Sequence, residues 1–327
     1  MPLLIILSLI IAAFVLVIIR KTMDKPSRKD GRLYNSLSKD SIDLEYQKQI
    51  RQETISKVIR YTIAYILLSV AAFLVVFPFY WMFATSVKSA EEVVKMPPTI
   101  FPHELHIENF SIAMQSANFG RFLVNTLIVG VFSTIGTLVT TVTSAFAFAR
   151  LNFKGRDLVF SMFIATMMIP GEMMVITNFI TIMEWGMYNT YSAMIIPFWV
   201  STYYIYLLRN TFKQIPNELY YAAKVDGTSD FKYLLKVMIP IASPTIITIT
   251  ILKLMGAWNS YVWPNLITDE DMRLITNGLR GSFSSEDGAT VHLQMAATTV
   301  VTVPLLLVFI FFRKYIMRGV SRSGIKG

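Results

Sequence analysis

Residues 218–240 read ELYYAAKVDGTSDFKYLLKVMIP. Two adjacent alanines, Ala222 and Ala223, lead to the turn signal Asp226-Gly227, and an amphipathic run then ends at Pro240. The stretch predicts a short helix over 218–225, with Asn217 placed to cap it. Gly227 is free to take the positive φ of a tight turn. Thr228 or Ser229 can cap a second helix that runs through Phe231, Leu234, Leu235 and Met238. Long apolar runs lie on both sides, at 191–208 and 237–263, so this helical hairpin joins two membrane-length segments.

Composition agrees with a membrane chain. Apolar residues make up 54% of the 327 residues and charged ones 16%, with a mean hydropathy of +0.52; a soluble domain is nearer 25% charged. Seven apolar segments reach span length: 3–19, 59–83, 122–148, 158–180, 191–208, 237–263 and 291–312. Internal glycine and proline do not disqualify them. In the first, Arg20 and Lys21 follow the apolar run instead of preceding it, so it reads as an extra N-terminal transmembrane helix rather than a secretory signal.

Of the 30 lysines and arginines, 24 fall in 20–60, 150–156, 209–236 and 313–327, and only Lys88, Lys95, Arg273 and Arg280 in the intervening loops 84–119, 181–190 and 264–290. The positive-inside rule then places the quoted loop and the C-terminus in the cytoplasm. Topology thus accounts for the net charge of +9, and no nucleic-acid partner is needed. The expected organisation is an extra transmembrane helix at 1–20, a cytoplasmic basic linker at 21–57, and a six-span, all-α domain over 58–327. Pro97, Pro98 and Pro102 interrupt any helix in the external segment 95–120, where a short helix is expected near 107–115.

Sequence features exclude several chemistries. Cysteine is absent, so there is no disulfide framework or thiolate site. His103, His106 and His292 are too scattered for a metal site, and no catalytic constellation is present. There is no G-x-x-x-x-G-K-[ST], so the chain cannot cradle a nucleotide phosphate itself.

The pattern Ala222-Ala223-x-x-Asp226-Gly227, followed after 12 residues by Pro240, resembles the EAA loop of ABC importer permeases. Ile215-Pro216-Asn217-Glu218-Leu219 before it and Trp258-Asn259 after it agree. The ending, Arg318-Gly319-Val320 through Ser323-Gly324-Ile325-Lys326-Gly327, is similar to the tail of the maltose-permease (MalG-like) carbohydrate branch. The resemblance covers about residues 60–327 and implies a type I importer permease fold. It implies that 215–240 is a coupling loop docking on an ATPase through Glu218, Tyr221, Ala222, Ala223, Asp226, Gly227 and Pro240. The family's glutamate before the two alanines is Tyr221 here; Glu218, three residues earlier, lies on the same helical face. The implied partners are a second homologous permease subunit, two ATPase subunits that bind ATP and Mg, an extracytoplasmic solute-binding protein and a sugar. The implied location is a bacterial plasma membrane. Removing residues 1–50 should leave a transport-competent core.

For the substrate path, ionisable groups inside spans usually face a cavity or a partner. On straight helices Glu172 and Lys253 reach similar depths, about 21–24 Å at 1.5 Å per residue. They either pair or contact a polar solute together, or else meet different partners. Trp258, Asn259 and Tyr261 follow Lys253 towards the external face. They suit either stacking on sugar rings or an interfacial aromatic belt with Trp263. An ion-gradient-driven secondary transporter is the alternative reading. It predicts several midplane acids, of which Glu172 is the one clear case.

Overall fold

The computed structural model describes residues 39–116, 118–283 and 290–321, and among them the chain is helical with no strand. In order the helices are α1 (Lys39–Ser86), α2 (Ala90–Val94), α3 (Glu108–Gln115), α4 (Phe119–Arg150), α5 (Arg156–Thr166), α6 (Val175–Glu184), α7 (Tyr191–Ile195) and α8 (Thr202–Lys213). Then come α9 (Asn217–Val225), α10 (Asp230–Tyr233), α11 (Ile239–Ile241), α12 (Ser243–Trp258), α13 (Val262–Ile267), α14 (Ile275–Ser282) and α15 (Val291–Ser321). The expected N-terminal span, the linker up to residue 38 and the tail from residue 322 lie outside the described residues.

The chain forms two compact units, one ending at Trp81 and the other beginning at Met82. The described part of the first is the stretch of α1 up to Trp81. Three helical stretches are each long and apolar enough to cross a membrane: Ile50–Ser86, Phe119–Arg150 and Val291–Arg313. Three more segments are bent pairs, Arg156–Thr166 with Gly171–Glu184 at 84°, Tyr191–Phe198 with Thr202–Lys213 at 43°, and Asp230–Ile241 with Ser243–Trp258 at 80°. Counting each pair as one crossing gives six, the number expected of the core.

Three spans are therefore broken where the apolar runs read as continuous, and the breaks have local causes. Pro170 offers no backbone N–H and pushes Ile169 away from the helical region. Ala242, fully buried, sits at a corner between Pro240 and Pro244, after the π turn Leu234–Met238. Residues 199–201 separate the turn Ile196–Phe198, which contains Pro197, from α8.

At the centre of the second unit α4 packs closely against α8 and α12. Its buried face carries small residues, Thr126, Gly130, Ser133, Thr134, Thr137, Thr141 and Ala145, which let apolar helices approach where lipid supplies no hydrophobic drive. At Gly136 the Trp199 indole lies 2.1 Å from where a Cβ would stand. One core cluster joins Ala145 and Phe146 of α4 to Leu208, Phe212, Tyr233, Leu234 and Met238. Another joins Phe119 and Phe122 to Ile275, Leu279, Phe283, Ala296 and Ala297.

The segment between α1 and α4 is ordered by polar contacts. Buried Asn109 donates to the Ser86 and Lys88 carbonyls, each at 2.9 Å. The Glu92 carboxylate accepts from the Thr99 hydroxyl at 2.6 Å and the His103 amide at 3.2 Å. The expected helix near 107–115 is α3, and the three prolines lie in the irregular stretch before it.

Candidate functional site

The helical hairpin expected at 218–240 is present, and its turn has a defined hydrogen-bond pattern. α9 ends with the Thr228 amide donating to the Ala223 carbonyl at 2.8 Å and the Gly227 amide to the Lys224 carbonyl at 3.0 Å. Gly227 takes φ +69°. These are the two bonds of a Schellman motif, with glycine in its left-handed position. Of the two candidate caps for the second helix, Ser229 is the one used, accepting from the Lys232 amide at 3.4 Å.

α9 has two faces. Tyr220 and Ala223 turn inward and pack on the cluster around Phe212 and Tyr233. Glu218, Tyr221, Ala222 and Val225 turn outward, the i, i+3, i+4, i+7 spacing of one helical stripe. The two alanines thus divide, one packing on the body and the other facing out. Val225 is 88% exposed and Tyr221 63%, and beyond the turn Phe231 is 66% exposed. Asp226 and Pro240 are exposed as well.

Tyr220, Lys224 and Asp230 staple the hairpin. The Tyr220 hydroxyl donates to the Asp230 carboxylate at 2.7 Å, and the Lys224 ammonium reaches the same oxygen at 2.8 Å. Burial, then the bond to Asp230, raises the Tyr220 hydroxyl above its ordinary pKa. The bond to Asp230 also raises the Lys224 ammonium. Tyr220 meets Tyr233 edge-on, ring centroids 5.2 Å apart.

Asn217 differs from its expected role. It is the first residue of α9, Pro216 holds the cap position, and no side chain caps the helix. Instead the Asn217 side-chain oxygen accepts from the Arg150 guanidinium at 2.6 Å. Arg150 also donates to the carbonyls of Phe212, at 2.7 Å, and Ile215. The last residue of α4 thereby grips the entry to the hairpin. Sixty-five residues separate Arg150 from Ile215, so nothing local in the sequence points to the contact.

The second feature is a cavity of about 330 Å³ beside the break between α7 and α8, lined among others by Ser133, Ser201, Tyr204, Lys253, Gly256 and Ser260. Unwound backbone inside a span needs side-chain partners. Thr137 donates to the Phe198 carbonyl at 2.8 Å and Thr140 to the Trp199 carbonyl at 2.5 Å. The Lys253 ammonium donates to the Phe198 carbonyl at 3.0 Å and lies 5.4 Å from the Phe198 ring centre.

The path residues expected from sequence do not converge. Lys253 lines this cavity, but Glu172 is exposed in the short turn Gly171–Met174 at the 84° bend. No ion pair joins them among the described residues. The straight-helix depths fail because the 158–180 run folds back at Pro170. Trp258 points away from Lys253 and packs with the Phe119–Phe122 cluster. Asn259 is exposed, its amide donating to the Met255 carbonyl at 2.9 Å. α12 ends at Trp258, so Tyr261 begins a new element, as the cap of α13, with the Arg280 guanidinium 5.5 Å from its ring centre. Sequence reasoning passed over Gly256, which lies i+3 from Lys253 on α12, and Ser260, just past the helix end. Residues 258 and 259, five and six positions on, fall towards the opposite side.

The described residues thus combine broken spans, a cavity in which Lys253 and three serines stand among apolar side chains, and a hairpin that packs one face on the bundle and exposes the other. The chain belongs to the binding-protein-dependent transport system inner membrane component family, which matches residues 140–322. It is therefore the membrane subunit of a transport system.

Among curated relatives it is 27% identical over 270 residues to the sn-glycerol-3-phosphate transport system permease protein UgpE of Rhizobium meliloti, covering 80% of this chain and 96% of that one. It is 29% identical to the diacetylchitobiose uptake system permease protein NgcG of Streptomyces coelicolor, covering 80% and 87%. The arabinooligosaccharides transport system permease protein AraQ of Bacillus subtilis is 26% identical, covering 78% and 92%. The fold is shared with a bacterial ABC transporter involved in import of the acidic polysaccharide alginate, at a TM-score of 0.72 and 24% identity over 80% of this chain and 97% of that one.

Proposed function

We propose that this chain forms half of the translocation pathway of an ATP-driven importer for a sugar or oligosaccharide, and that the loop 215–240 couples it to a separate ATPase. The carrying observation is the outward stripe of α9. Apolar Tyr221, Ala222 and Val225 stand exposed on a helix fixed by a Schellman turn, the Tyr220–Asp230–Lys224 staple and Arg150. An exposed apolar face on a rigidly held short helix suits docking into a groove of another protein. The solutes named for the relatives, two oligosaccharide classes and a polyol phosphate ester, support the substrate class.

In this reading the partners are a second permease subunit, two ATPase chains that hold ATP and Mg, and an extracytoplasmic binding protein received by the segments 84–119 and 264–290. The hairpin and the C-terminus face the cytoplasm, in keeping with the placement of lysine and arginine. The permease domain occupies 58–327, preceded by an extra transmembrane helix at 1–20 and a linker at 21–57. The solute path runs beside Lys253.

The test is purification of the chain in mild detergent from its native membrane, unaltered and as Val225→Arg. Wild type should carry a second permease and a P-loop ATPase. The variant, with a charge at the exposed end of the docking stripe, should keep the permease and lose the ATPase. Recovery of wild type without an ATPase, or full retention in Val225→Arg, would count against the proposal.

A further inference from the structure

We propose that Lys253 reads the charge of the solute, so that the imported molecule carries a carboxylate or phosphate group. This rests on the import reading above and narrows its substrate class. A lysine within a span costs on the order of 3 kcal/mol and is retained where its charge is used or compensated. The compensation seen here is partial. An ammonium has three N–H donors, and among the described residues it makes one hydrogen bond, to the Phe198 carbonyl at 3.0 Å. Among the described residues no carboxylate lies within ion-pairing distance. The ammonium faces a cavity of about 330 Å³, the size of a small-ligand site.

The polar part of the cavity wall suits a hydroxylated anion. Ser260, just past the end of α12, is joined by Ser133, Ser201 and Tyr204 from α4 and the α7–α8 region, among apolar residues such as Val129 and Leu252. Gly256, one turn on from Lys253 in α12, has no atom within 4 Å of where a Cβ would stand, so it leaves the approach to the ammonium clear. The aromatic group within reach of the ammonium is Phe198, not Trp258. The recognition unit is thus one cation beside three serines and the Tyr204 hydroxyl, an arrangement that reads charge through Lys253.

A purely structural Lys253 would hold the broken span through the Phe198 carbonyl and nothing else, and the two roles separate in one experiment. Cells carrying the complete transporter are given two matched pairs of labelled probes, trigalacturonate with its trimethyl ester and glycerol phosphate with glycerol. The expected result is preferential uptake of the anionic member of at least one pair. Lys253→Met should raise the KM for that member about tenfold relative to its neutral partner, and Lys253→Arg should preserve the preference. Equal losses for both members in Lys253→Met, or no anionic preference in wild type, would overturn the assignment. If the ATPase co-purifies with the chain and the charge preference is flat, only the role of Lys253 fails. If no ATPase co-purifies, the import reading fails and takes this assignment with it.

Discussion

Gly227 shows how much one backbone angle carries. Its φ of +69° closes the turn that presents the outward stripe, and no atom lies within 4 Å of where a Cβ would sit. A side chain there meets strain without collision, about 1–2 kcal/mol for a left-handed L-residue and more for a β-branched one. Gly227→Val should therefore abolish ATP-dependent uptake while the protein still accumulates in the membrane. Gly227→Asn, which tolerates the left-handed region, should keep most of the activity. Normal uptake by the valine variant would sever the link between turn geometry and coupling. Position 221 is the other telling residue: the outward stripe carries an aromatic ring there, 63% exposed, with Glu218 three residues earlier on the same face.

At the scale of elements, broken spans and the polar segment after α1 set the architecture. Gly136 lets the Trp199 indole pack directly on α4, and this contact positions the unwound residues between α7 and α8. Gly136→Leu should displace the indole at about 1–3 kcal/mol, the usual cost of overpacking. A lower thermal midpoint in detergent, with loss of uptake, would report it. Glu92 anchors the irregular stretch after α2 through Thr99 and His103. Burial raises its pKa, but the Thr99 hydroxyl, the His103 amide and the neighbouring positive charges outweigh it, so the net shift is downward. A carboxylate depressed in the folded state contributes stability that is complete above its ordinary value of 4.5 and is lost as pH falls through the lowered value. Protease sensitivity of this segment should rise below pH 4.5, and Glu92→Gln should show much of that sensitivity at neutral pH. Much of this was legible in sequence: prolines 97, 98 and 102 exclude a helix, and α3 falls where expected. The breaks were not, because hydropathy registers an apolar run without registering its direction. Pro170 and the Pro240–Pro244 corner lie inside runs that still read as single spans. Likewise the hairpin was legible from Ala222 to Gly227, whereas its anchor Arg150 belongs to another span and has no local signature.

Across the second unit, α4 connects the two ends of the machinery. Near one end Asn125 donates to the carbonyls of Asp271 and Arg273, both at 3.0 Å, and Thr126 accepts from the Ile275 amide at 2.9 Å. Its far end carries Arg150, on the entry to the hairpin. The two grips are 25 residues apart, about 38 Å along an uninterrupted helix, and the small-residue stripe between them keeps α4 packed against α8 and α12. A rigid element held at both ends can pass a displacement of the hairpin to the 269–283 segment without bending. If α4 acts as that rod, loosening either grip disconnects the same movement, and loosening both adds little. Arg150→Met and Asn125→Ala should each reduce ATP-dependent uptake severalfold, and the double variant should be no worse than the weaker single one. Multiplicative losses in this double-mutant cycle would mean that the two ends act independently. The transmission would then run through another pair of elements, with α12, which carries Lys253 and follows the 80° corner after the hairpin, next in line.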